Sequence, residues 1–251
     1  MNSSETYKKF AQFYNTYVGN FCEDLPLYAF LCRNRNPIIE IGCGTGRILQ
    51  TLLDAGHTVA GVDVSSDMLS VAEKKLARYV DSQRLTLINH DFRLSPLTKQ
   101  FACVLVTFYT FNYLLEDAEQ STFLKNIFIT MVNSGSVVID LFYPRPKSRP
   151  ETEDQWEQST YEMQAKSIIL KQKRRMIGDT EERIQIYTDG ENSNEIQTLR
   201  RFNEKHRMLS LLTGAGFVKV RFTDGYDLSH FHELKEGERT TSSFVVMAEK
   251  P

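Results

Sequence analysis

Residues 38–48 read IIEIGCGTGRI. A short apolar run, Ile38 to Ile41, enters glycines at 42, 44 and 46, and Ile48, Leu49, Leu52 and Leu53 then recur at helical spacing until Gly56. Short apolar runs bounded by turn residues read as buried strands, and recurrence every three or four residues reads as a helix stopped by glycine. The segment is therefore strand, glycine loop, helix, admitted by the break at Asn36-Pro37. Outward from it the unit repeats. HTVAGVDVSSDMLSVAEKKLARYV, residues 57–80, gives a strand ending at Asp63, Ser65 or Ser66 as helix cap, and a helix packing through Met68, Leu69, Ala72 and Leu76.

Leu85 to Asn89, Ala102 to Thr107 and Val137 to Leu141 read as three further strands, with a helix from Glu119 to Met131 between the last two. Parallel neighbours need crossovers, and right-handed crossovers put helices on both faces of the sheet. The expected fold class is α/β, a doubly wound Rossmann-like sheet. Between Leu141 and Lys205 the pattern changes to alternating apolar and polar residues in SIILKQKRRMI, ERIQIYT and EIQTLRRF, around the turn-rich GDT and DGENSN. This predicts an inserted antiparallel hairpin or meander. A helix, EKHRMLSLLTGAG, and two strands, FVKVRF and SSFVVMAE, then complete the sheet. An aromatic stripe of Tyr7, Phe10, Ala11, Tyr14, Tyr17, Val18 and Phe21 predicts an amphipathic N-terminal helix.

The organisation expected is one domain over 1–251. It divides into an N-terminal helical lid (1–36), a cofactor-binding core (37–144), an inserted antiparallel β lid over the acceptor side (145–204) and a completion of the core sheet (205–251).

With 251 residues, 41% of them hydrophobic and 25% charged, the chain can bury a real core. A net charge of −2 disfavours a nucleic-acid or anionic-membrane partner and favours a small molecule. The basic KQKRRM with Arg200 and Arg201 is read as charged strand edges, although an anionic acceptor would use the same arginines. Cys22, Cys32, Cys43 and Cys103 form no CxxC pair, so reduced thiols and a cytoplasmic location are expected. No apolar run reaches the ~18 residues that span a bilayer. The sequence is compatible with a homodimer and does not decide it.

In an open α/β sheet the ligand sits beyond the carboxyl ends of the strands and touches the first strand-to-helix turn. Glycine there permits positive φ and leaves no Cβ between backbone and ligand. The spacing is G-x-G-x-G, whereas a dinucleotide fingerprint reads G-x-G-x-x-G. Glu40, just before the loop, would repel a pyrophosphate but can accept from an ammonium group. Asp63, at the end of the second strand, can take both ribose hydroxyls. Asp91, ending the third in LINHDF, can accept from an adenine amino group, with Phe92 covering the ring. A ribose, an adenine and an amino acid without phosphate describe S-adenosyl-L-methionine.

IIEIGCGTGRI, VAGVDVSSDML, LINHDFRLSP and FACVLVTFYTFNYL resemble the successive cofactor motifs of class I S-adenosylmethionine-dependent methyltransferases, and GSVVIDLFYP, LLTGAGF and SSFVVMAEK extend the likeness over most of the chain. It is strongest to small bacterial members that methylate small molecules, such as the amino-sugar N-methyltransferases. The resemblance implies a seven-stranded, mostly parallel sheet with one antiparallel strand. It also implies that Glu40, Gly42, Gly44 and Gly46 hold the methionyl part, Asp63 the ribose and Asp91 with Phe92 the adenine. Cys43, Val64, Met68, Thr107 and Phe108 complete the implied cofactor set, Tyr14 borders the cofactor, and S-adenosyl-L-homocysteine is the implied product.

Methyl transfer from a sulfonium needs positioning, desolvation and a route for the acceptor's proton more than it needs dedicated catalytic groups. Aromatic faces can attract the sulfonium, and Tyr7, Tyr14, Phe108 and Tyr109 are the candidates. Tyr113 and Tyr14 are the catalytic candidates. Several of the resembled enzymes carry a histidine at the place of Tyr113, and a tyrosine, with an ordinary pKa near 10, is a poor base. An amine needs less help than a hydroxyl, so nitrogen is expected to be methylated in preference to oxygen. An O-methyltransferase, a non-catalytic cofactor-binding partner subunit and a nicotinamide oxidoreductase remain as alternatives. His230 and His232 flank one aromatic but lack a third ligand, so no metal is expected. Tyr226 and Asp227 are placed near the pocket, and Trp156 at the start of the insertion is read as lid or packing.

Overall fold

The computed structural model describes residues 11, 14, 15, 18, 21–144, 155–163, 166–188, 190 and 193–251. Of the N-terminal stripe, Tyr7, Phe10 and Tyr17 lie outside the described residues, whereas Ala11, Tyr14 and Val18 are helical. The core strands are β1 (Ile38–Ile41), β2 (Val59–Asp63), β3 (Leu85–Asn89), β4 (Phe101–Val106), β5 (Met131–Leu141), β10 (Val218–Asp224) and β11 (Phe244–Glu249). They form one seven-stranded sheet in the order β10-β11-β5-β4-β1-β2-β3. β11 runs antiparallel to both β10 and β5, and the remaining pairs are parallel.

Helices α1 (Leu25–Cys32), α2 (Arg47–Asp54), α3 (Ser66–Lys75), α4 (Ala77–Asp81), α5 (Asp117–Thr130) and α6 (Lys205–Gly214) cover the sheet. The strands are apolar on both faces because both are covered. On one face Ile39, Ile41, Val104 and Val106 pack with Phe123, Leu124 and Ile127 of α5 and with Met208 and Leu212 of α6. On the other, Ile38, Val59 and Leu105 pack with Leu27 and Tyr28 of α1 and Ile48, Leu49, Leu52 and Leu53 of α2. Side chains alternate along a strand, so Glu40 shares the face of Ile38, under α1 and α2. This is a doubly wound, Rossmann-like α/β fold.

The element boundaries depart from the sequence reading in instructive ways. β5 begins at Met131 rather than Val137, because Met131 already pairs with Phe101 across an irregular register. Ser65 is the cap of α3, accepting from the Met68 amide at 3.3 Å. The helix that packs through Met68, Leu69 and Ala72 breaks at Leu76, which leaves helical geometry before α4 starts. α5 starts at Asp117, where Glu116 and Glu119 form a reciprocal capping box.

The insertion is a separate antiparallel sheet of four strands, β6 (Glu157–Met163), β7 (Lys166–Ile177), β8 (Thr180–Thr188) and β9 (Ser193–Arg201). β6, EQSTYEM, lacks the apolar alternation that marks the other three. Asn112, fully buried in the 3-10 turn Thr110–Tyr113, ties this sheet to the core. Its Nδ2 donates to the carbonyls of Phe142 at 3.2 Å and Arg201 at 2.7 Å, and its Oδ1 accepts from the Phe142 amide at 2.9 Å. Among the described residues no helix is long and apolar enough to cross a membrane.

Candidate functional site

The strand order reverses between β1 and β4, and a cavity of about 650 Å³ opens at the carboxyl ends of β1, β2 and β3, roofed by the inserted sheet. Gly42, Gly44, Asp63, Val64, Met68, Asp91, Phe92, Phe108, Tyr14 and Tyr113 line it, which brings together most of the residues singled out in the sequence. Glu40, Cys43, Gly46 and Thr107 stand behind its wall instead.

All three loop glycines have positive φ. Their neighbours refine the reason for them. A Cβ at Gly42 would collide with the Thr110 side chain, and one at Gly46 would lie 2.8 Å from Leu76 Cδ1. Close packing against protein therefore requires glycine at these two positions, in addition to the left-handed backbone. Gly44 sits beneath the Tyr14 ring, which a Cβ there would meet at 3.6 Å. Cys43 turns its thiol away from the cavity, into the core beside Gly61.

Glu40 is 2% exposed. Its Oε1 accepts from the Thr107 hydroxyl at 2.6 Å, while Oε2 is buried and has no partner. Burial pushes its pKa up to about 8, against the opposing pull of Thr107 and the Arg47 guanidinium. Arg47 is held in place from below, forked onto the buried Asp24 at 2.7 and 2.6 Å and set over the Phe108 ring at 5.0 Å.

Asp63 accepts from the Gly44 amide at 2.8 Å through Oδ2 and from the Ser65 amide at 2.9 Å through Oδ1. It clamps the glycine loop to the start of α3 and lies on the cavity wall. Burial raises its pKa although these amides favour the charged form. Asp91 is forked by Arg93, whose Nη2 donates at 2.7 Å. Burial opposes ionisation there, but the guanidinium wins and holds the carboxyl below its ordinary value. Phe92 is 2% exposed and packs edge-on against Phe123 at 6.2 Å.

At the end of β4 the consecutive residues Phe108 and Tyr109 both have positive φ, at 48° and 69°. Left-handed backbone at two non-glycine residues is strained and persists only where the surroundings over-determine it. Asp140, 1% exposed at the end of β5, supplies that constraint. Its Oδ2 accepts from the Phe108 amide at 3.2 Å, Tyr28 Oη at 3.1 Å and Tyr226 Oη at 3.0 Å. Burial pushes Asp140 up to about 7. Tyr226, expected at the pocket, instead braces the turn from behind. Asp140 was not read from the sequence, because VVIDLF looks like an ordinary buried strand with one polar residue.

The side of the cavity under the inserted sheet is made by Tyr109, Tyr113, Leu115 and Phe142 of the core and by Arg183, Gln185 and Arg200 of that sheet. Burial pushes the Tyr109 and Tyr14 phenols up, so neither is a base near neutral pH. The basic run 171–175 is largely paired elsewhere, with Arg174 on Glu157 and Arg175 on Glu182. His230 pairs with Asp227 at 2.6 Å and His232 with Glu238 at 3.2 Å. Among the described residues no cluster of His, Cys, Asp or Glu is placed to hold a metal ion. Trp156 is 48% exposed and lies under Lys173, off the cavity.

Residues 38–135 match a family model described as a methyltransferase domain. A dTDP-3-amino-3,6-dideoxy-alpha-D-glucopyranose N,N-dimethyltransferase of Streptomyces fradiae is 28% identical over 45% of this chain and 43% of its own. A malonyl-[acyl-carrier protein] O-methyltransferase of Priestia megaterium is 28% identical over 56% of this chain and 48% of its own. The chain spans about half the length of the curated relatives it matches. The structure of the CcbJ methyltransferase from Streptomyces caelestis superposes with a TM-score of 0.76, over 100% of this chain and 99% of that one, at 19% identity.

Proposed function

We propose that this chain, which carries a methyltransferase domain over residues 38–135 on a class I methyltransferase fold, is an S-adenosylmethionine-dependent methyltransferase that acts on the nitrogen of a small-molecule amine. The observation that carries the cofactor assignment is the Glu40 carboxylate, buried behind the glycine loop with one oxygen satisfied by Thr107 and the other unpartnered. A buried carboxylate oxygen without a donor is costly, and the ammonium group of a methionyl moiety, directly or through a water, is a donor of the right charge. Asp63 at the wall suits ribose hydroxyls, and the strand-end carboxylates make the site hostile to a pyrophosphate.

S-adenosylmethionine, when bound, would supply a sulfonium methyl carbon for in-line attack by an acceptor lone pair, with the thioether of S-adenosylhomocysteine as leaving group. The residues of this chain do the positioning. Asp63, at the end of β2, fixes the glycine loop through the Gly44 amide, Asp140 holds the Phe108–Tyr109 turn against the cavity floor, and the Tyr14 and Phe108 rings, 6.5 Å apart and edge-on, present aromatic surface beside the glycine loop. Tyr113, at the end of the 3-10 turn, offers a hydroxyl to the acceptor. The Tyr109 phenol, pushed up by burial, is a donor rather than a base, which suits an amine. An amine can lose its surplus proton to water after methylation, whereas a hydroxyl must be deprotonated first. The Streptomyces fradiae relative, named as an amino-sugar N,N-dimethyltransferase, supports the same preference.

Calorimetric titration with S-adenosylmethionine, S-adenosylhomocysteine and NAD in parallel tests the cofactor. Micromolar binding of the two sulfur compounds and none of NAD is expected, and binding of NAD alone would overturn the assignment. Transfer of radiolabelled methyl to a panel of primary amines and their hydroxyl analogues then tests the acceptor atom. Transfer to the hydroxyl members alone would replace the N-methyl reading with an O-methyl one, and cofactor binding without transfer to either would favour a non-catalytic partner subunit.

A further inference from the structure

Two arginines of the inserted sheet reach the acceptor side of the cavity, and they share one carboxylate. Glu181 and Arg200 are directly opposed on β8 and β9, and Arg183 stands on the same face of β8, opposite Thr198. Glu181, 5% exposed, receives Nη2 of Arg200, and Nε of Arg183 lies 3.7 Å from the same Oε1. The cluster therefore brings two guanidinium groups together on one carboxylate, and both arginines line the cavity.

Arg200 carries the sharper signal. It is 6% exposed, lines the cavity, rests its Cζ 4.5 Å over the Phe142 ring, and its Nε is buried without any acceptor. A guanidinium donates through five N–H groups in a planar fork that matches an oxyanion bidentately. A buried one with an idle edge donor is a site short of one acceptor. Arg201, its neighbour in sequence, does something different. It leaves the cavity and binds the Leu115 carbonyl at 2.8 Å and Asp179 at 2.9 Å, fastening the inserted sheet to the core.

From this arrangement we infer that Arg200 and Arg183, poised by Glu181, form a subsite for an oxyanion, so that the methyl acceptor is an amine that also carries a carboxylate or a phosphate. The inference rests on the cavity being the methyl-acceptor site, and it deepens that reading by fixing the charge of the substrate. Glu181 acts as a built-in competitor. It keeps the arginines in position when the subsite is empty and weakens their hold on the incoming anion.

The test loads the protein with S-adenosylhomocysteine and titrates glucosamine, glucosamine 6-phosphate, inorganic diphosphate and citrate by calorimetry. The expected result is no binding of glucosamine and saturable binding of at least one anion, the phosphate or the carboxylate arm identifying the group read. Arg200→Gln should weaken that binding at least tenfold, and Glu181→Gln should strengthen it several-fold. A purely structural ion pair would not produce that opposition of sign. Arg175→Gln, on the outer face, should leave it unchanged. Absence of anion binding, or binding that Arg200→Gln and Glu181→Gln leave untouched, would overturn the subsite. S-adenosylhomocysteine affinity, measured on each variant, separates the two readings. Its loss in the wild-type chain counts against the cofactor assignment, whereas its retention with no anion binding counts against the subsite alone.

Discussion

Thr107 donates its hydroxyl to Glu40 Oε1 at 2.6 Å, from the residue that follows β4 to the third residue of β1, while Oε2 of the same carboxyl has no partner. The pair joins the two strands at the point where the sheet order reverses. It leaves one acceptor buried behind the loop that the cofactor must touch.

With its pKa raised by burial to about 8, Glu40 is mostly protonated at pH 7 in the free protein. An ammonium ligand favours the ionised form, so cofactor binding should expel a proton from Glu40. Titrations with S-adenosylmethionine at pH 7 in two buffers of different ionisation enthalpy should reveal that release, and affinity should rise between pH 6 and pH 8. Glu40→Gln should abolish the release and cost about 1.5–3 kcal/mol of affinity, as loss of a hydrogen bond to a charged partner does. Equal heats in the two buffers for the wild-type protein would sink the assignment.

Asp63 clamps the backbone of the glycine loop and, in the proposed function, also takes the ribose; two substitutions separate these roles. Asp63→Asn keeps one acceptor oxygen for the Gly44 or Ser65 amide and should lose stability by about 1 kcal/mol. Asp63→Ala leaves both amides without their partner and should lose about 2–3 kcal/mol, read as the midpoint of urea unfolding. Both should weaken S-adenosylmethionine by at least tenfold if the carboxylate takes the ribose. Unchanged affinity in Asp63→Asn would confine the residue to the loop.

Asp140 gives the chain a pH signature of its own. Its pKa is raised to about 7, so between about pH 4 and pH 7 the folded state holds a proton that the unfolded state has released. Stability from this group is thus full below the unfolded carboxyl pKa and is lost as pH climbs through about 7, with Glu40 adding the same slope up to about 8. The two together should lower the unfolding free energy by several kcal/mol, of the order of 1.4 per pH unit for each group while it titrates. Asp140→Asn should flatten the fall between pH 5 and pH 7.5 in thermal melts. A wild-type melting temperature that rises over that interval would contradict the burial of these two groups.

The glycine loop, the strand-end acids and the crossovers were legible because local spacing encodes them: a β-strand repeats at two, a helix at 3.6, and a loop announces itself by glycine. Asp140, Asp24 and the braces Tyr28 and Tyr226 were not legible. Their partners lie far along the chain, as with Tyr28 and Asp140, and nothing local in VVIDLF says that its aspartate is buried. The packing that requires glycine at 46 was not legible for the same reason, since the Leu76 methyl it accommodates comes from the end of the next helix. Arg200 and Arg201 are adjacent in sequence and alike in type. Only the pleat, which sends one to the cavity and the other to the Leu115 carbonyl, tells them apart.

Tyr113 and Asn112 are also adjacent, and their consequences should diverge. Asn112 is fully buried and its side chain makes three hydrogen bonds that join the 3-10 turn to Phe142, just after β5, and to Arg201 of β9. Asn112→Ala should therefore cost about 2–4 kcal/mol of stability, from the buried carbonyls and amide it orphans. It should also raise KM by loosening the inserted sheet over the acceptor. Tyr113 is 37% exposed at the end of the same turn, on the cavity wall. Tyr113→Phe should leave the melting temperature and the S-adenosylmethionine dissociation constant nearly unchanged while lowering kcat at least tenfold, if its hydroxyl orients the acceptor in the transition state. Steady-state kinetics on the best amine found in the panel would decide it. Equal kcat in the two proteins would remove Tyr113 from the chemistry and leave the positioning of the acceptor to Tyr109 and the inserted sheet.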